Sequence, residues 1–233
     1  MKKIVVLTGS GISAESGLKT FRDSGGLWEN HKVEDVASPD GWRKNPAMVL
    51  EFYNQRRKQA MHAQPNAAHI ALAKLEQRYE VQIITQNVDD LHERGGSSNV
   101  LHLHGELFSV RSSLDPELVY DIKEINPNGW ELKLGDKCAR GSQLRPNIVW
   151  FGEAVPDIQI AKRFAKQCDF FVVVGTSMVV YPAASLIEYV PDSSRKCIVD
   201  LEIPEMRSRI ENLFSIQESA TLGVPRLVEQ LLA

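Results

Sequence analysis

The sequence predicts an α/β fold: a doubly wound parallel sheet that carries a smaller inserted domain. Three observations point there. Short apolar runs alternate with stretches of helical spacing along most of the chain, the order that builds a parallel sheet covered by helices. Some runs are continuously apolar, as in Phe170-Phe171-Val172-Val173-Val174, which suits a central strand buried on both faces. Two stretches, Gly25 to Pro65 and Leu107 to Pro146, break this rhythm and together read as one small domain inserted into the sheet domain.

Ile4 to Thr8 is the first strand, ending in Gly9-Ser10-Gly11; the run is too short for the apolar region of a signal peptide. Pro46 to Met61 predicts a helix, with Pro46 at a favourable first-turn position. Asn66 to Tyr79 has helical spacing, with Ala67, Ile70, Ala71 and Leu75 on one face. Val81 to Thr85 is a second strand, and Val100 to His104 a third, with Val100, His102 and His104 pointing one way. Asp115-Pro116, Asn126-Pro127-Asn128-Gly129 and Gly135-Asp136 are turn signals in a polar, irregular stretch. Helices over Asp157 to Gln167, Pro182 to Tyr189 and Val224 to Leu232 flank strands at 170–174 and Lys196 to Asp200. The division that follows gives 1–27, 66–104 and 147–233 to the sheet domain, and 28–65 and 105–146 to the insert.

Composition excludes several classes. The 233 residues hold 27 Lys+Arg against 30 Asp+Glu, a formal net charge of -3, so the basic excess of a general nucleic-acid binder is missing. No segment approaches the ~20 consecutive apolar residues of a membrane helix. Three cysteines, Cys138, Cys168 and Cys197, are too few for a disulfide framework or a four-thiolate zinc site. Few, scattered cysteines predict a reducing, cytoplasmic setting.

Gly9-Ser10-Gly11-Ile12-Ser13-Ala14 satisfies G-x-G-x-x-G/A directly after the first strand. Glycines there let backbone approach a pyrophosphate, and the following helix start offers it N–H groups. By itself the motif is also what a plain tight strand-to-helix turn looks like. The acidic ribose partner of an ordinary Rossmann unit is not at its usual place; Thr20-Phe21-Arg22-Asp23 stands there instead. That departure argues against a hydride-transfer dehydrogenase.

Taken together, five segments in order resemble the sirtuins, NAD-dependent protein deacylases. Gly9 to Gly17 with Thr20-Phe21-Arg22 resembles their first motif, with Ser10 where the family usually has Ala. Thr85-Gln86-Asn87-Val88-Asp89-Asp90-Leu91-His92 resembles the second and Leu103-His104-Gly105 the third. Leu144 to Glu153 and Gly175-Thr176-Ser177 resemble the fourth and fifth. The resemblance implies a Rossmann-like NAD-binding domain, a small domain, and acyl-lysine protein or peptide substrates lying between them.

It also implies a chemistry in which NAD is consumed: the acyl oxygen attacks C1′ of the nicotinamide ribose, nicotinamide leaves, and a histidine base helps a ribose hydroxyl attack the resulting imidate. An imidazole near neutrality suits that task. His104 matches the family position, although His102 lies on the same face and spacing alone does not choose between them. His92 is read as structural. Asn87 and Asp89 would hold the nicotinamide ribose and carboxamide, with Asn87 also catalytic, and Gln86 the ribose, beside Val88. Phe21, Arg22 and Trp28 would close over NAD. Thr176 and Ser177 offer donors to phosphate or ribose. Asp200, Leu201 and Glu202 would face the adenosine ribose, Asp200 standing where many members have Asn, and Ala220 the adenine.

Tyr53 and Arg56 are three apart and share a helix face. They resemble the Tyr-x-x-Arg signature of class III sirtuins, which remove succinyl, malonyl and glutaryl groups. An acyl chain ending in a carboxylate suits a guanidinium fork and a hydroxyl; a solvated basic face over Arg56-Arg57-Lys58 is the plainer reading. Val149, Trp150, Phe151 and Gly152 match the segment that docks the substrate main chain as an added strand. The same residues also suit a buried strand. Mono-ADP-ribosyl transfer and a silent NAD or ADP-ribose binding module are the rival functions on this fold.

Most sirtuins bind structural zinc through two Cys-x-x-Cys pairs. Here the first stretch reads Phe108-Ser109-Val110-Arg111-Ser112-Ser113-Leu114, and the second holds Cys138 alone. The expectation is no metal and no zinc, with Cys168 and Cys197 inert. The insert would hold itself by packing, and Trp130-Glu131-Leu132-Lys133-Leu134 would form a short strand in the metal's place.

Overall fold

The structure is a computed structural model; it describes the chain outside residues 20–26, 29–30 and 206–208, and only the backbone of Leu27 and Trp28. The chain begins with β1 (Lys3–Thr8) and α1 (Gly11–Ala14), a hairpin of β2 (Leu27–Trp28) and β3 (His31–Lys32), and helices α2 (Val33–Val36), α3 (Pro39–Lys44) and α4 (Pro46–His62). α5 (Ala67–Lys74) and a 3-10 turn lead into β4 (Glu80–Thr85), α6 (Leu91–Arg94) and β5 (Val100–His102). β6 (Gly105–Ser112), β7 (Val119–Asp121), α7 (Ile122–Ile125) and β8 (Leu144–Ile148) follow. α8 (Ile158–Gln167), β9 (Phe170–Val174), a 3-10 helix at Ala183–Tyr189, β10 (Arg195–Val199), β11 (Leu213–Ile216) and α9 (Ala220–Leu232) complete the chain.

Six parallel strands form one sheet in the order β11-β10-β9-β1-β4-β5. The chain builds outward from β1 to β5, then returns to start β9 on the other side of β1. The carboxyl ends of β1 and β9 are therefore the point where strand order reverses, the place where open sheets bind ligands. Successive side chains face opposite layers. Ile4, Val6, Val172 and Val174 pack with Leu72, Val224 and Val228 of α5 and α9. Val5, Leu7, Phe171 and Val173 pack with Ala161, Ala165, Leu186 and Ile187 on the other face. Each large apolar side chain so buried contributes about 1.5–3 kcal/mol, and this keeps the strand ends in register.

Helix starts follow their capping residues. Asn66 caps α5 by accepting from Ala68 N, while its own amide donates to His69 Nδ1. Asn45 accepts from Met48 N ahead of Pro46, the first residue of α4.

The second layer system is a three-stranded antiparallel sheet, β7-β6-β8. α4 packs Val49, Phe52 and Tyr53 against Leu107, Ile148 and Trp150. Further out, Leu50, Val110, Ile122, Leu132, Cys138 and Leu144 form a second small core. β8 crosses the 146/147 boundary drawn from the sequence.

Several expected elements differ. The stretch expected to be irregular after Leu107 holds three strands, because β6 turns mainly polar, half-exposed side chains outward and so hides its periodicity. The strand from Val100 stops at His102, where the chain turns towards Gly105, whose φ of +83° starts β6. The segment at Pro182 is a 3-10 helix. The expected strand at Trp130–Leu134 is not formed. β7 and β8 already occupy both edges of β6, and the Leu132 backbone pairs instead with the Asn54 side chain, Asn54 Nδ2 donating to Leu132 O at 3.0 Å and Leu132 N to Asn54 Oδ1 at 2.9 Å.

At the tip of this domain, Ser112 Oγ and Ser142 Oγ are 2.6 Å apart, and Cys138 Sγ lies 3.0 Å from Ser142 Oγ. Ser112 Oγ also accepts from the amides of Leu114 and Asp115. Among the described residues, no group of three or more His, Cys, Asp or Glu is placed to hold a metal ion. Cys168 and Cys197 are buried, and burial pushes their thiols up to about 11 and about 12. Among the described residues no helix is long and apolar enough to cross a membrane.

Candidate functional site

The site is built on the strand-order reversal. Gly9 N donates to Val174 O and Gly11 N to Gly175 O, at 3.0 and 2.9 Å. A Cβ on Gly11 would lie 2.7 Å from Gly175 Cα, and one on Gly175, at φ +60°, would lie 2.4 Å from Ile12 N. The two glycine turns therefore interlock only without side chains. Gln86, at the end of β4, reaches across β1 and donates from Nε2 to Thr176 Oγ1 at 3.0 Å. Gly9, Gly11, Gln86, Gly175 and Thr176 are thus brought to one edge, with Ser177 half-buried beside them.

Beneath that edge lies a buried polar hub. Asn87 Nδ2 donates to Gly9 O and to Ser13 Oγ, both at 3.1 Å. Ser13 Oγ donates to Asp89 Oδ2 at 3.2 Å. Leu91 N donates to Asp89 Oδ1. Burial raises the Asp89 carboxyl above its ordinary range, against those hydrogen bonds. Ser13 approaches His69 Nε2 at 3.5 Å, and His69 packs edge-on against His92 with centroids 5.0 Å apart. Thr8 donates to Thr85 Oγ1, so its oxygen accepts from His92 Nε2 at 2.9 Å. Burial drives His69 down to about 4 and His92 well below its ordinary value, so both are neutral near pH 7. The structural reading of His92 agrees with this placement.

The structure separates the two histidines that spacing could not. His102 Nδ1 lies 3.0 Å from Asn87 O and Nε2 lies 2.8 Å from Glu93 Oε1. Both ring nitrogens face acceptors, a geometry that favours the protonated ring. Burial works to lower its pKa, but the Glu93 carboxylate and the Asn87 carbonyl outweigh burial and leave it raised. His104 Nδ1 lies 3.1 Å from Gln86 O. A carbonyl only accepts, so Nδ1 carries the proton and Nε2 keeps a lone pair. Burial lowers the His104 pKa, partly offset by the Gln86 carbonyl. His104 has the free nitrogen a general base needs, and His102 has none.

On α4, Tyr53 is fully buried. Trp150 Nε1 donates to Tyr53 OH at 3.1 Å, leaving the hydroxyl proton to be donated elsewhere. Burial pushes the phenol up to about 12, so it stays neutral. Trp150 is itself buried, with the Arg145 guanidinium 3.3 Å above its ring. Arg145 pairs with Glu153, which also accepts from Arg111 and from Trp150 N. Val149 N donates to His104 O and Phe151 N to Ala37 O. The amides of Val149, Trp150 and Phe151 are thus taken internally. Gly152 follows at φ +91°, and the Phe151 side chain is half-exposed.

Asp200 Oδ1 accepts from Glu202 N, Leu201 is exposed, and Ala220 starts α9 in a buried position. Ser10, Ile12 and Ala14 lie in or beside α1, Ile12 buried and Ala14 exposed. Val88 O accepts from Leu107 N at 2.7 Å, tying this motif to β6. Phe21, Arg22 and the Trp28 side chain lie outside the described residues.

Sequence reasoning missed Arg57, Asn54 and the hub partner His69. The Arg56-Arg57-Lys58 run is not one solvated face, because Arg57 is completely buried. The signal was present: Val49, Tyr53, Arg57 and Ala60 repeat at helical spacing on the buried side of α4.

The chain is similar to several known proteins. The Sir2 family model matches residues 9–182. A curated protein of Bacteroides thetaiotaomicron, named NAD-dependent protein deacylase, is 50% identical over 232 residues, covering 100% of this chain and 99% of that protein. A Sir2 homolog–NAD complex superposes with a TM-score of 0.86 at 40% identity, covering 99% of this chain and 90% of that one. A Sir2–p53 peptide–NAD+ complex has a TM-score of 0.79 at 31% identity, covering 97% and 92%.

Proposed function

Because the chain belongs to the Sir2 family, we propose the following reading. It is an NAD-dependent protein deacylase that takes acyl-lysine side chains and favours succinyl and malonyl over acetyl groups. NAD supplies the ribose carbon to which the acyl oxygen adds as nicotinamide leaves; the ribose hydroxyl then adds to the imidate carbon, and one water is consumed in releasing the free lysine and 2′-O-acyl-ADP-ribose. The interlocked glycine turns and the Gln86, Asn87, Asp89 and Thr176 side chains at the sheet's carboxyl edge fit a dinucleotide. His104 is the base, taking a ribose hydroxyl proton on Nε2. Asn87 and Asp89, held by Ser13, orient the nicotinamide end. Asp200, Leu201, Glu202 and Ala220 serve the adenosine end, and Gly152 with Phe151 lies along the substrate peptide. No zinc is required, and three free thiols suit the cytoplasm.

The observation that carries the acyl preference is the Tyr53 hydroxyl. It accepts from Trp150 and so has its proton left to donate, one helical turn from the Arg56 guanidinium. A terminal carboxylate would take both; an acetyl methyl would take neither. Mass spectrometry of products from NAD with acetyl, succinyl and malonyl versions of one lysine peptide tests reaction and preference together. Faster removal of the acidic groups is expected. Equal or slower removal would overturn the preference, and ADP-ribosylated peptide would favour the transferase.

A further inference from the structure

Arg57 is 0% exposed, and everything that holds it is neutral. Its Nε donates to Leu107 O at 2.6 Å and its Nη1 to Asn54 Oδ1 at 2.7 Å. Its Nη2 is buried with no hydrogen-bond partner, and it makes no ion pair among the described residues. The contrast within the same domain is sharp: Arg111 and Arg145 share the Glu153 carboxylate. A buried charge without a counter-ion is costly, so a fold that keeps one in a neutral cradle, where an apolar side chain would pack at less cost, invites a functional reason.

Its position supplies one. Arg57 stands four residues after Tyr53 and one after Arg56, so both arginines leave the helix one turn beyond the tyrosine, and Tyr53 is a group with which the Arg57 charge interacts. Charge attraction falls off slowly in a poorly solvated site, and a cation there acts on a carboxylate without touching it. Burial lowers the Arg57 pKa to about 10, which still leaves it charged at pH 7.

Resting on the acidic-acyl reading above, we propose that Arg57 is a second specificity-determining residue of the acyl site: an uncompensated buried cation, held by Asn54 and Leu107 O, whose field favours acyl groups ending in a carboxylate. A neutral acetyl group gains nothing from it.

The test compares kcat/KM for succinyl- and acetyl-lysine forms of one peptide in wild type and three variants. Arg57→Met removes the charge at similar volume. Asn54→Asp keeps the guanidinium and the bond from Leu132 N, gives up the bond to Leu132 O, and sets a carboxylate against Nη1, a second and independent way to cancel the charge should Arg57→Met not fold. Arg57→Lys keeps the charge. The succinyl-to-acetyl ratio is expected to fall on the order of tenfold in the first two, the size of one screened charge contact, and to be largely retained in Arg57→Lys. An unchanged ratio in a folded Arg57→Met or Asn54→Asp protein overturns the proposal. So does an equal loss on both substrates, which is what a purely structural arginine would give. A wild type without succinyl preference would instead remove the acyl reading itself. A selective wild type that loses selectivity in Arg56→Met but keeps it in the Arg57 and Asn54 variants would sink this inference alone.

Discussion

The carboxyl edge of the parallel sheet and the small domain are held together by different means. At the sheet edge, backbone register sets the geometry: Thr8 lies opposite Thr85 and Val174, and the glycine turns and the Asn87–Ser13–Asp89 hub follow from where those strands end. In the small domain, side-chain clamps are added to a short three-stranded sheet. Asn54 takes the place of a neighbouring strand for Leu132, Arg57 grips Leu107, and Ser112, Ser142 and Cys138 form a hydrogen-bonded chain at the tip. Register is shared among many bonds and survives the loss of one, whereas a side-chain clamp fails with its single residue.

The largest effect should come from the sheet edge. His104→Ala is expected to lower turnover by about 10²–10⁴-fold, the usual contribution of a general base, while NAD still binds by calorimetry. Unchanged turnover would place the base elsewhere. The pH dependence should show the same asymmetry. Turnover needs neutral His104, whose lowered pKa moves the acid limb of the rate profile below the ordinary histidine value. A limb above that value would contradict the burial argument.

Stability should follow the hub. His69, lowered to about 4, binds fewer protons folded than unfolded. Its stabilisation is complete above an unfolded pKa near 6.5 and is lost as pH falls towards 4, a loss of roughly 3 kcal/mol for that group alone. His102 has the opposite sign: its raised pKa gives stability that is present below its unfolded pKa and lost as pH rises through the folded one. Denaturant midpoints of His69→Gln and His102→Gln against pH would separate the two; parallel curves would refute the assignment.

In the small domain, Asn54→Ala leaves the Leu132 N–H and C=O without their partner. It should cost about 2–3 kcal/mol, read as a fall in Tm, and a neutral result would show that the clamp is not needed. Arg56→Met should cut desuccinylation about tenfold or more while changing deacetylation little; equal losses on the two substrates would count against the acyl pocket. The smallest effect, none, is expected from chelators on activity or Tm. Stoichiometric zinc in purified protein would reverse that expectation.

The difference between the two regions also sets what could be read in advance. The strands at β1, β4, β9 and β10 were legible because continuous apolar runs bounded by glycine, turns and helical spacing leave few alternatives. The edge strand β11 and the small-sheet strands β6 and β7 were not, since their exposed faces mix polar and apolar residues, and β8 was not because it buries Arg145 and Pro146, residues that read as loop. Trp130–Leu134 alternates like a strand, yet the Leu132 backbone is taken by the Asn54 side chain from a helix distant in sequence, which pattern cannot reveal. Adjacent charges at Arg56-Arg57-Lys58 also suit a solvated face, although the helical row through Val49, Tyr53 and Ala60 places Arg57 inside.

Motif order, the α/β class, the family resemblance and the shortage of thiols are all legible along the chain, because they depend on residue types and spacing alone. Which histidine keeps a free nitrogen depends instead on what meets each ring across space. His102 and His104 are equivalent in sequence pattern, and they diverge because Glu93 closes on one ring and only a carbonyl meets the other. In the same way the fold alone sets Arg57 beside no carboxylate among the described residues, since a counter-ion is a matter of what lies across space rather than along the chain.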